Sequence, residues 1–371
     1  MREPPLHLDR VPDPKLQHVL EEVIRAETTL ELLVGIYEVV KPALIEAYQL
    51  HQLETNRFMD QPTYRAIRFI LMEEEEMVAW GQSAIQALIR TKQDSEAAEA
   101  WRSHLLSYLH HAGGIRGEHT QAEPHNLPPA RFNGESYKPQ FYPKRDERFI
   151  DMFNRSAAID DYYQDEALQP DERTYALMYK RLREMDVPEW MCPILFTAND
   201  KPWDYYVDLS RQLYDEARHA MMGEIGLYQS GIPFYRYPID IKASVSLNTA
   251  FTPLESHIIL WGIEQDLMSG KSGKKWEHDI AVQSGMPLAI TLQDYDWADE
   301  VLHAQIGRKW LQPEFGALSE MHVAYEEMRK KWIETTDKYV NLSEQTPWWP
   351  QFVMEMREGW ERRNEVGHYG G

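Results

Sequence analysis

Apolar residues along this chain recur mostly at intervals of three and four, whereas alternation of period two is confined to short pieces such as 237–247. The pattern predicts a mainly α-helical protein. An N-terminal helical unit, 1–112, contains periodic segments at Pro14–Asn56, Asp60–Arg90 (opening on the helix-entry sequence DQPT) and Ser95–His111. Residues 113–146 then turn to Gly, Pro, Asn and His without apolar period, which reads as a loop between subdomains. Helical pattern resumes at 147–167, 172–196, 203–229, 253–269, 287–311 and 317–340, punctuated by QPDE, NDKP, SGIP and SGKSG. This is enough for a bundle over 147–345, followed by a tail at 346–371.

Three stretches share one frame: EEEMVAWG at 74–81, EARHAMMG at 216–223 and EVLHAQIG at 300–307. In each, a Glu is followed by His or Met three on and by Gly four further on, so all three positions face one side of a helix. The Gly is expected to admit a neighbouring helix one turn beyond the Glu/His pair.

Charge narrows the partners. Lys+Arg 39 against Asp+Glu 60 gives a formal net charge of -21, which repels phosphate backbones and anionic lipid and argues against nucleic acid and membrane. Most of this acidity is ordinary solubility, although carboxylates turned inward toward cations add to the same total. A single Cys192 excludes an internal disulfide framework and suits a cytoplasmic location. No apolar run is long enough to span a bilayer, and MREPPLHLDR lacks the apolar stretch of a secretory signal.

Candidate chemistry lies in two motifs. A lone Glu-x-x-His is uninformative, because roughly one or two are expected by chance in a chain of this composition. One of the three present, Glu365/His368, sits in the Gly-flanked tail and is assigned to chance. The other two are each preceded by Asp, giving DEARH at 215–219 and DEVLH at 299–303. Residues three apart on a helix point the same way, so Glu216 with His219, and Glu300 with His303, can each offer a carboxylate and an imidazole to one metal. On the 203–229 segment Tyr205, Leu209, Gln212, Glu216, His219 and Gly223 form one line, which should enter the bundle. The competing reading is an Asp/Glu/His hydrogen-bond cluster between helices.

A paired-metal bundle needs one further Glu from each of two more helices. Glu255 is explained by a capping box with Thr252, whereas Glu264 lies in an apolar face with Leu260, Trp261, Leu267 and Met268. On 172–196, Glu189 continues the line Met178, Leu182, Met185 and is preferred. Its rival is Glu184, beside Lys180 and Arg181, which argues for a solvated face. In the N-terminal unit Glu74 is kept but Met77 replaces the His, and a thioether is a poor ligand at a hard oxygen-rich site, so no metal is expected there. Tyr214, Tyr295 and Trp297 adjoin the motifs and read first as packing. His110, His111, His119 and His125 flank or occupy the loop without ligand spacing. No phosphate-binding loop, dinucleotide fingerprint or GxSxG elbow is present.

With these residues in view, the chain resembles the ferritin-like diiron-carboxylate proteins, whose ligands run Glu, Glu-x-x-His, Glu, Glu-x-x-His. Here that order reads Glu189, Glu216/His219, Glu264, Glu300/His303. The resemblance covers about 172–311, departs from a simple hairpin at the insert KSGKKWEHDIAVQSG, and rests chiefly on the doubled DExxH. It implies a ferritin-like four-helix bundle with additional N- and C-terminal helices, holding two iron ions or an iron/manganese pair. It also implies that Asp215 and Asp299 orient the ligand histidines. The implied activity is oxygen-dependent oxidation of a small organic substrate, with an electron donor as partner and a homodimer allowed. The alternatives are a non-catalytic metal carrier or store, and a helical interaction protein with a relic site.

Overall fold

The computed structural model describes residues 11, 13–118, 127–138, 140, 142–155, 157–199, 201–270, 272–340 and 344–367. His119, His125 and His368 lie outside them. The described residues are all helix, turn and loop, with no strand. None of the helices is long and apolar enough to cross a membrane. The chain divides into two compact units, Met1–Lys138 and Pro139–Gly371.

In the first unit, α1 (Pro14–Val23), α2 (Thr29–Val34), a π-helical stretch (Gly35–Val40) and α3 (Lys41–Glu54) replace the single expected segment. The break comes where Thr28, extended at φ -131°, ψ 159°, accepts from the Glu31 amide and caps α2. The unit is completed by α4 (Gln61–Leu88) and α5 (Lys92–His111), the latter started by a Thr91/Asp94 capping box. Val34, Ile85, Trp101 and Leu105 form its core. Part of the expected loop belongs to this unit, because buried Glu22 accepts from the amides of Arg131 at 3.1 Å and Phe132 at 2.6 Å.

The second unit carries α6 (Ile159–Gln164), α7 (Pro170–Arg183), α8 (Asp186–Thr197), α9 (Trp203–Gln229) and α10 (Lys242–Ala250). It continues through α11 (Pro253–Asp266), α12 (Lys274–Ser284), α13 (Pro287–Phe315), α14 (Leu318–Val340) and α15 (Trp349–Gly367). Four expectations are corrected here. The segment 172–196 is two helices, divided at Glu184 and Met185, with Pro188 accommodated in the first turn of the second. The strand-like piece runs into α10. The insert after Gly270 contains α12, which stops at Gly285 with φ 68°. The C-terminal tail is largely α15, whose Phe352 and Met356 are fully buried.

Two apolar clusters stabilise this unit. One gathers Leu177, Met178, Leu182, Leu227 and Phe352; the other gathers Leu209, Ile259, Trp261 and Tyr325. Helix α9 contributes Leu209 to one and Leu227 to the other, and its Glu216 and His219 lie midway between. The glycines of the shared frame do admit close neighbours. A Cβ at Gly223 would stand 2.1 Å from the Leu182 backbone nitrogen, and one at Gly307 would stand 2.8 Å from Trp261. The first contact brings the end of α7, and so Glu184, against α9.

Candidate metal centre

Each DExxH motif sits mid-helix, where three-residue spacing turns its Glu and His to the same buried side. Glu216, His219, Glu300 and His303 are all at most 2% exposed. Two four-residue groups result: Glu184, His219, Asp296 and Glu300, and Glu216, Glu264, Glu300 and His303. Within each, one ligand atom per residue lies within 4.8 Å of the others, a spacing that could hold a metal ion.

Both motif glutamates face the two groups. Glu300 turns Oε1 toward His219 Nδ1, at 3.8 Å, and Oε2 toward His303 Nδ1, at 3.3 Å. Glu216 turns Oε2 toward His219 Nδ1, at 3.6 Å, and Oε1 toward His303 Nδ1, at 3.2 Å. Glu184 approaches only His219, at 3.4 Å, and Glu264 only His303, at 3.8 Å. The imidazoles thus present Nδ1 inward and Nε2 outward. His219 Nε2 meets Asp299 at 3.2 Å and His303 Nε2 meets Asp215 at 3.5 Å, so each Asp serves the histidine of the other helix. Arg218 bonds both aspartates.

Glu189 is not in this cluster. It is bound by Arg145 at 2.7 and 2.9 Å and by Ser244 at 3.2 Å. The preference for Glu189 over Glu184 is therefore corrected. One helix end intervenes between them and shifts the phase of the apolar line, and the lysine and arginine beside Glu184 are buried rather than solvated. Lys180 pairs with Glu277, while Arg181 reaches Glu184 at 2.9 Å and also pairs with Asp296. Sequence reasoning missed two more participants. Asp296 is one helical turn before Glu300, a spacing that could have revealed it. Lys274, the first residue of α12, is buried and places Nζ 2.9 and 3.0 Å from Asp296, 2.8 Å from Glu300 and 3.8 Å from Glu184.

The electrostatics follow from this crowding. Burial raises the Glu184 carboxyl, but Arg181 and Lys274 outweigh it and hold the group at about 2. Burial opposes ionisation of Glu300 as well, yet Lys274, with Glu264 and His303 behind it, keeps it well below the carboxylate range. Glu264 has no such cation: burial, then the charge of Glu300, push it well above. Burial works against charging both histidines, but Asp299 for His219 and Asp215 for His303 lead the groups that raise them well above the usual imidazole range.

Several buried atoms of the cluster have no hydrogen-bond partner among the described residues: Glu184 Oε2, Glu216 Oε1, Glu264 Oε2, Glu300 Oε2, the Nδ1 of both histidines and Nε2 of His303. Leaving such groups buried and unpaired costs several kcal/mol, roughly, and cations would offset it. An inward-facing set of carboxylate oxygens and two imidazole nitrogens could hold divalent metal ions.

The N-terminal unit has a different answer for its degenerate frame: Glu74 is paired with Lys41 at 2.7 Å, and Lys41 also lies 3.1 Å from Met77 Sδ. Tyr214 and Tyr295 are exposed. Farther along α9, α11 and α13, a cavity of about 370 Å³ is lined by Lys201, Tyr205, Leu254, His257, Trp310 and Glu314, among others. His257 is buried in its wall with Nε2 unpartnered.

No protein-family model, curated protein or solved structure matches this chain.

Proposed function

We propose that the chain is an oxygen-activating oxidoreductase of the ferritin-like diiron-carboxylate kind, acting on a small organic substrate with two irons or an iron/manganese pair. The observation that carries this reading is the pair of four-residue groups sharing Glu300, buried except for the half-buried Glu184. Glu184, His219, Asp296 and Glu300 would hold one ion, and Glu216, Glu264, Glu300 and His303 the other. Such ions, when bound, supply the electrons and open coordination positions that dioxygen chemistry needs.

The chain's own residues do the rest. Asp299 holds the His219 ring from its outer nitrogen, Asp215 stands 3.5 Å from that of His303, and both rings leave Nδ1 free to ligate. Burial of every member but the half-buried Glu184 limits access of bulk water and strengthens the charge interactions in the set. The carboxylate-rich donor set favours iron and manganese over the nitrogen- and sulfur-rich arrangements typical of zinc.

Elemental analysis of protein produced in iron-rich medium tests this. The expected result is stoichiometric iron or manganese, mostly lost in Glu216→Ala and His303→Ala. Wild-type metal content in both variants would overturn the reading, and metal binding without substrate-dependent oxygen uptake would leave a carrier or store.

A further inference from the structure

The two ligand groups are not equivalent, because one of them already contains a fixed cation. Lys274 Nζ reaches three of the four residues in the first group: Asp296 through both oxygens, Glu300 through Oε1, and Glu184. Arg181 adds a second positive charge on Glu184 and Asp296. In the second group, Glu216, Glu264 and His303 have no Lys or Arg ion-pair partner among the described residues. All four of its members carry an unpartnered buried atom, against three of four in the first group, where both Asp296 oxygens are taken.

The lysine is held in place by the backbone. Gly273, immediately before it, lies so close to the preceding turn that a Cβ there would stand 2.2 Å from the Leu267 carbonyl oxygen and 2.4 Å from that of Ser269. The Lys274 amide donates to that same Leu267 carbonyl at 2.9 Å. A short turn without room for a side chain therefore starts α12 at one position and directs its first residue into the cluster.

We propose that Lys274 acts as an internal counter-ion that makes metal loading sequential: the Glu216/Glu264/Glu300/His303 group takes a divalent ion first, and an ion enters the Glu184/His219/Asp296/Glu300 group only by drawing Asp296 and Glu300 away from the lysine. The inference rests on the metal reading above. Transition-metal–carboxylate bonds are about 2.0–2.2 Å long, so an ion bound to the oxygens that Nζ now contacts would lie close to the ammonium and be repelled by it. The second ion should bind more weakly than the first. Ordered loading of this kind also gives two different metals a route to distinct positions.

Titration of metal-free protein with Mn(II), followed by electron paramagnetic resonance and equilibrium dialysis, tests the proposal. Wild type should bind the first equivalent as an isolated, uncoupled ion and leave most of the second in solution until Mn(II) is in excess. Lys274→Met should bind the second equivalent more tightly than wild type, with Arg181 still in place, and show the spectrum of a coupled pair at lower Mn(II). Glu264→Gln, whose outcome does not depend on folding of the lysine variant, should lose the first, tight ion. Uptake of two equivalents by wild type from the outset, with coupled-pair signals at substoichiometric Mn(II), overturns the proposal. So does retention of the tight ion by Glu264→Gln. Absence of any bound Mn(II) in wild type is a distinct failure, because it removes the metal reading itself.

Discussion

Asp299 stands 3.2 Å from Nε2 of His219, a residue of the other DExxH motif, and the reciprocal contact joins Asp215 to His303. This crossing ties α9 to α13 through the outer edges of both imidazoles. Asp299→Asn keeps the size of the side chain but removes its charge and frees the ring to rotate. Metal affinity should fall by about 10–100-fold, the usual cost of losing such a supporting contact. Competition with a fluorescent chelator would measure it. An unchanged affinity would mean that Arg218 or the helix packing alone orients His219.

Glu184 and Glu189 make opposite predictions. Glu184→Gln should reduce metal content, since Glu184 belongs to the group with His219, Asp296 and Glu300. Glu189→Gln should leave metal content at the wild-type level and lower stability by about 2–4 kcal/mol, because it leaves the nearly buried Arg145 without its carboxylate. Metal analysis and urea unfolding of the two variants separate these roles, and the reverse pattern would restore Glu189 as the ligand.

Much of this arrangement was legible in the sequence, and the residues that were not have physical reasons. The DExxH helices and Glu264 could be read because a charged residue in an apolar line of period 3.6 stands out within one unbroken helix. The sequence pattern favours Glu189 because an unbroken apolar line would run through Met185, whereas α7 ends at Arg183 and α8 begins at Asp186, so the phase is reset between them. Arg181 reads as solvent-facing from its neighbours and is fully buried only because Glu184, Glu277 and Asp296 converge on it from three helix ends and faces. Lys274 could not be found at all by periodicity. Its role depends on where the turn at Gly273 aims the start of α12, which is a tertiary fact.

A pH dependence follows from His257. Burial, with the positive charge of Lys201 adding to it, depresses this imidazole to about 4. The unfolded chain takes up the proton near the ordinary value of about 6.5, so between these values the unfolded state binds more protons and stability falls with acidification. The contribution is fully present above about pH 6.5 and is lost as the pH drops through 4, amounting to about 3 kcal/mol. His257→Gln should therefore show a shallower decline than wild type when urea stability is followed from pH 7.5 to 4.5. Parallel curves would show that this histidine is not held neutral in the fold.

Oxygen consumption on mixing anaerobically iron-loaded protein with oxygenated buffer tests the central claim most directly. The account predicts oxidation of the bound ferrous iron well above the rate of free ferrous ion at the same pH, accelerated by substrate and abolished in Glu216→Ala and His303→Ala. Oxidation no faster than that of free ferrous ion, together with hydrolase activity in zinc-loaded protein, would contradict it.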